Sequence, residues 1–168
     1  MKTLDERLRK IEDKLAIYDL IASHPPSADT AARDFVRTVW VEDGVFDREG
    51  EISCPGAASS ANPPPGNDAH ARAIGDGLAH FAGLPNVKIA GDTATAVTYL
   101  QILVPNRNGP TIEVPNHGSS KGFLVYRVSA NRWEFVRTKE GWRIKNRVLR
   151  ILDGSSEARD ILRDALID

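Results

Sequence analysis

The chain has 168 residues, 41% of them apolar and 27% charged, and a formal net charge of -1. That length suits one domain around a single core, and the composition is that of a folded globular protein rather than a disordered or membrane-embedded one. The balanced charge offers no basic surplus for a phosphate backbone, so no nucleic acid is expected as a partner.

No run of about 18 apolar residues occurs, so no membrane partnership is expected. The N-terminus, MKTLDERLRKIEDK, is too charged for the apolar stretch of a signal peptide, which makes the cytoplasm the expected compartment. The one cysteine, Cys54, cannot form an internal disulfide, and no Cys/His spacing of zinc-site type is present. Neither a metal nor a cofactor is expected.

Leu4, Leu8, Ile11, Leu15 and Tyr18 recur at helical spacing and predict an amphipathic helix to about Ser23. Pro25 and Pro26 are expected to end it. A second helix fits residues 30–40, with Phe35, Val36, Val39 and Trp40 on its buried stripe and Asp29 or Thr30 as its cap. EDGVF at 42–46 reads as a turn entering a strand.

Residues 50–68 are rich in Gly, Pro and Ser; within them 53–68 reads as a flexible loop, with a lid as the alternative. A helix over 69–82 would carry His70 and His80. Beyond it the pattern changes to period two. NVKIA and TATAVTYLQILVP form two strands joined by a tight Gly91-Asp92 turn. The stretch 121–152 reads as three more strands, with turns at 129–131 and 139–141. Ser155 or Ser156 then caps a last helix that packs back through Ile161, Leu162, Ala165 and Leu166.

Helices first and antiparallel strands afterwards give an α+β class. The expected shape is a cone: a curved, antiparallel-rich mixed sheet wrapped around the N-terminal helices, enclosing an apolar pocket in one domain over 1–168. Large side chains on the sheet face suggest a homodimer or homotrimer.

No glycine-rich phosphate loop or nucleophile elbow stands out, which leaves acid/base chemistry. A histidine against an apolar wall serves as a base at neutral pH when a carboxylate holds its tautomer. His80 and Asp29, both at element ends facing the sheet's interior, are the candidate catalytic pair, against the plainer readings of helix cap and structural histidine.

His24 reads as pocket rim, and Trp40 as core or pocket wall. His70 and His117 read as exposed. Arg127, Arg137, Arg147 and Arg150 lie on strands, and one facing inward beside Asn146 could polarise a carbonyl or leaving group. Periodicity does not choose among them; Asn146 and Arg147 stand as substrate-binding candidates with Trp40 and His24.

Four stretches carry a family resemblance: KLAIYDLIA with an aspartate ten residues after Asp19, VWVEDGVFD, HFAGLPNVKIAGDTATAVTY, and EGWRIKNR. Together they resemble the SnoaL-like branch of the nuclear-transport-factor-two-like superfamily. The resemblance spans nearly the whole chain and implies the cone fold. Through lyases of the scytalone dehydratase and hexachlorocyclohexane dehydrochlorinase type, it also implies a His-Asp dyad that takes a proton from carbon, with His80 and Asp29 at the matching positions. Pro25 and Pro26, the absence of a tyrosine just before Asp29, and the long 53–68 segment depart from the family pattern. The implied activity is that of a cofactor-independent lyase or isomerase on a small hydrophobic, cyclic molecule. The alternative is a non-catalytic binding or assembly module, as in the small subunit of ring-hydroxylating dioxygenases.

Overall fold

Thr3 opens the first helix: its hydroxyl accepts from the Glu6 amide at 3.2 Å while the Glu6 carboxylate accepts from the Thr3 amide at 2.7 Å, a closed capping box. The computed structural model describes residues 3–57 and 69–167. Helix α1 spans Leu4–Ala22 and ends, as expected, at Ser23.

Its buried side chains are Asp13, Ile17 and Ile21, four residues apart. The stripe of Leu4, Leu8, Ile11 and Leu15 lies on nearly the opposite side and is about half exposed. The reason is a polar anchor. Asp13 accepts from the Arg137 guanidinium at 2.6 Å and from the Trp142 indole at 3.0 Å, which turns its face of α1 onto the sheet.

The two prolines restart helical structure rather than ending it. Helix α2, His24–Asp29, places them in its first turn, where a missing amide costs nothing. Ala31, with φ of 50°, then breaks the chain before helix α3, Arg33–Val39. The helix expected over 30–40 is therefore only the seven residues of α3, with α2 a separate short helix before it, and Trp40 begins a strand. Asp29 closes α2 instead of capping α3, whose N-cap is Ala32.

Strands β1 (Trp40–Arg48) and β2 (Glu51–Ser53) form a hairpin whose Glu49 and Gly50 both have positive φ, the geometry a two-residue turn demands. Of the loop expected over 53–68, residues 58–68 lie outside the described residues. Helix α4, Ala69–Gly75, is shorter than the 69–82 expected, because Gly77 at φ 94° turns the chain into strand β3, Ala79–Ala82. His80 is thus a strand residue.

Strands β4 (Asn86–Ala90) and β5 (Thr93–Pro105) follow as expected. A small hairpin, β6 (Ile112–Val114) with β7 (Gly118–Ser120), stands apart. Then come β8 (Phe123–Thr138), β9 (Gly141–Ile151) and helix α5 (Ser156–Asp164). The turn expected at 129–131 is absent: β8 runs through it, and Ser129 and Asn131 are buried there. In α5, Ala158 is buried and Ile161 and Leu162 half-buried, whereas Leu166 is exposed.

The strand order is β2-β1-β9-β8-β5-β3, with β4 on the same edge of β5 as β3. Among the described residues only the β1–β9 pairing is parallel. Bulges at Ile102/Leu103 and Glu134/Phe135 bend the long strands. The sheet is curved but not closed. Its concave side carries a core of Ile17, Ile21, Trp40, Trp133, Phe135, Trp142, Ile144 and their neighbours.

The Asp13 anchor yields a measurable pH effect. Its bond to Arg137 holds the carboxyl below its usual value against the opposing effect of burial. A depressed folded-state pKa contributes stability above the unfolded value of about 3.9, lost as pH falls through the folded one. Asp13→Asn is expected to cost about 2 kcal/mol at neutral pH, and the gap to wild type should close on acidification through that range. Urea denaturation at a series of pH values measures both.

Candidate functional site

Strand β3 sits at the sheet edge, so the outward amide of His80 is free for a partner. It finds the Asp29 carboxylate, at 3.1 and 3.2 Å to the two oxygens. The same carboxylate accepts from His80 Nδ1 at 2.6 Å. A carboxylate oxygen accepts and does not donate, so the proton sits on Nδ1 and Nε2 keeps its lone pair. The His80 side chain is 9% exposed and that of Asp29 28%. Burial pushes the His80 pKa below the ordinary histidine value, and the bond to Asp29 opposes this without cancelling it. His80 is consequently a neutral base at pH 7.

His80 lines a cavity of about 280 Å³ on the concave side of the sheet. Phe46, Leu78, Leu100, Ile102 and Leu149 make it apolar, and α2 and α4 cover it through Ala28 and His70. His70 Nε2 donates to the Ala28 carbonyl at 2.8 Å, tying α4 to α2, and its ring lies 5.9 Å from that of His80.

Arg147 forms part of the lining and is 2% exposed. Its guanidinium packs 4.1 Å over the Trp133 ring and 4.5 Å over the Phe46 ring. Nε and Nη2 donate to the Asn131 carbonyl oxygen at 3.0 and 2.7 Å, and Nη1 to His24 Nε2 at 3.0 Å. Burial disfavours its charge most, followed by Arg48 and Arg127, yet a guanidinium keeps its proton in proteins. His24 must then be the acceptor and be neutral. Burial and the neighbouring Arg147 hold its pKa well below the usual value.

Of the residues singled out from sequence, Asp29, His80, His24 and Arg147 come together. His24 lies deeper than a rim position, against Trp133 at 5.6 Å. Strand alternation turns Asn146 away from Arg147, and its amide donates to Glu134 at 2.8 Å. Trp40 packs in the core beside Phe46, off the cavity wall. Arg137 and Arg150 are engaged by carboxylates elsewhere, and His117 is exposed.

Sequence reasoning missed His70 and Arg48 as lining groups and did not single out Arg127. Their signal is strand register: Arg127 faces Ile102, and Arg48 faces Leu149, at inward positions. Two larger hollows, about 440 Å³ beside α5 and about 540 Å³ beside the start of β5 and the end of β8, contain no histidine. Among the described residues no cluster of three or more His, Cys, Asp and Glu side chains could hold a metal ion, and no helix is long and apolar enough to cross a membrane.

No curated protein matches the chain. Among solved structures, a nuclear-transport-factor-two-like protein with a cystatin-like fold from Novosphingobium aromaticivorans is 35% identical, covers 96% of this chain and 98% of its own, and superposes with a TM-score of 0.77. A nuclear transport factor 2 superfamily protein from Salmonella enterica is 12% identical over 84% of this chain and 92% of its own, TM-score 0.57. A hexachlorocyclohexane dehydrochlorinase LinA-type3 from Novosphingobium barchaimii is 12% identical over 87% and 90%, TM-score 0.59. These last two share the fold. The SnoaL-like domain family matches residues 9–148. The chain belongs to the SnoaL-like family of the nuclear-transport-factor-two-like superfamily.

Proposed function

We propose that the protein is a cofactor-independent lyase or isomerase in which His80, oriented by Asp29, removes a proton from carbon in a small, largely hydrophobic cyclic molecule. The observation that carries this reading is the 2.6 Å bond from His80 Nδ1 to Asp29 beside a cavity with a buried cation.

In the reaction the C–H bond breaks and its proton goes to His80 Nε2. The electron pair moves into a new double bond as a neighbouring group leaves, or onto a carbonyl oxygen as an enolate. Asp29 balances the imidazolium, and Arg147 compensates the charge on the departing group or oxygen. The proton then returns to another carbon or leaves with the expelled group. The architecture is shared with a protein named as a dehydrochlorinase, which is why elimination stands beside isomerisation.

The test is incubation of the protein in heavy water with a panel of small cyclic ketones, β-hydroxy carbonyl compounds and halides. Deuterium entering at carbon, or an elimination product, is read by mass spectrometry. Loss of the general base in His80→Ala should lower turnover of any hit about a hundredfold to ten-thousandfold with the fold retained by circular dichroism. An unchanged rate rejects the assigned role.

The base must be neutral to act, so kcat/KM should rise with pH and level off above a midpoint lower than about 6.5. Asp29 raises the His80 pKa, so Asp29→Asn should move that midpoint further down.

A second reading, an assembly module, is favoured by a different surface. Phe123 and Val125, on one side of β8, are more than half exposed, as is Phe81 on β3. Self-association as a homodimer or homotrimer through this face is expected by light scattering after gel filtration; a monomer at every concentration rejects it.

A further inference from the structure

Several arginines elsewhere in the described residues are neutralised where they stand. Arg137 pairs with Asp13 and Asp92, Arg150 with Asp47 and Glu157, Arg143 with Glu140 and Arg163 with Asp160. The cavity reverses that pattern. Arg48, Arg127 and Arg147 all line it, and among the described residues no carboxylate pairs with any of the three. The acid that borders it, Asp29, already accepts three bonds from His80.

The three cations differ in how far they are committed. Arg147 is buried, and its Nε, Nη1 and Nη2 all donate within the protein. Arg127 is half-buried, its Nε is shut off from solvent, and it has no hydrogen-bond partner there. Arg48 is exposed, with its guanidinium 5.0 Å over the Phe46 ring. A buried donor left unmatched is costly, and native proteins seldom leave one without a role. A line of positive charge running from the exterior to an apolar interior also concentrates and draws in anions.

We infer that the molecule acted on is an organic anion, a carboxylate on an apolar body, whose carboxylate is held by Arg127 and Arg48 while its apolar part lies against Leu100, Ile102 and Leu149 towards His80. The guanidinium fork matches a carboxylate in two parallel bonds, and Arg127 lines the cavity with no carboxylate of its own. One charged head with an apolar remainder suits a volume of about 280 Å³ walled by aliphatic side chains. Arg127 and Arg48 are in this view positioning residues for the substrate, separate from the charge compensation assigned to Arg147. The inference rests on the proposed function only in taking this cavity as the substrate site.

Isothermal titration calorimetry of the full chain with benzoate, its neutral isostere benzamide, and inorganic phosphate provides the test. Benzoate should bind at least about tenfold more tightly than benzamide, and more tightly than phosphate, which has charge without an apolar body. Arg127→Gln and Arg48→Gln should each remove most of the preference for benzoate over benzamide. Arg48 is exposed, so its variant keeps the test in hand if Arg127→Gln fails to fold. Equal affinity for benzoate and benzamide, no benzoate binding, tighter binding of phosphate, or a preference untouched by both substitutions overturns the inference. His80→Ala should leave benzoate binding in place while lowering turnover of any substrate found, so failure of the anion site and failure of the proposed base are read separately.

Discussion

A carboxylate on the last turn of a six-residue helix and an imidazole on a four-residue edge strand meet at 2.6 Å, and the concave side of this protein is organised around that meeting. Neither element is long enough to be stable alone. The three bonds between Asp29 and His80 dock α2 onto the sheet edge, which places His24 over Trp133 and brings Ala28 within reach of His70. One contact thus fixes the tautomer of the base, closes the roof of the cavity and sets the path of the chain between α1 and α3.

The second organising feature is a cation in a place where cations are expensive. Arg147 is tolerated because its charge is spread over two aromatic faces and its donors meet the side-chain oxygen of Asn131 and a neutral histidine. A carboxylate partner would have made the same arginine cheaper to bury, and would have cancelled the field it projects into the cavity. Its neighbours Arg48 and Arg127 line the same cavity; burial first, and then Arg147, lowers the proton affinity of His24 and keeps it in the acceptor form that Arg147 requires.

The α+β order and the long strands were legible in the sequence because period-two alternation is a local signal, whereas Asp29 and His80, 51 positions apart, were matched as a pair through the family resemblance. What was not legible depended on distant partners. The exposed leucine stripe of α1 outscores its buried face on hydrophobicity, but residue 13 is held by an arginine 124 positions away. Ser129 and Asn131 have the composition of a turn, and they are interior because Arg147 takes its oxygen from Asn131 on the adjacent strand, two residues from its own cross-strand partner Trp133. Gly75 and Gly77 fall inside the helix expected over 69–82; α4 ends at the first and the second turns the chain, which moves His80 onto the sheet. Asn146 was placed by proximity in sequence to an arginine, which does not resolve the side of a strand a residue takes; Trp40 sits in the core, the first of its two expected places, but on a strand instead of a helix.

The base stands on a short strand at the edge of the sheet. β3 has a single strand neighbour, β5, and its other edge faces Asp29, so fraying of this corner and loss of the imidazole's orientation are one event. Competence therefore comes and goes with the docking of a single helical turn, and a molecule that presses α2 onto the sheet edge as it enters assembles the proton acceptor by its own arrival.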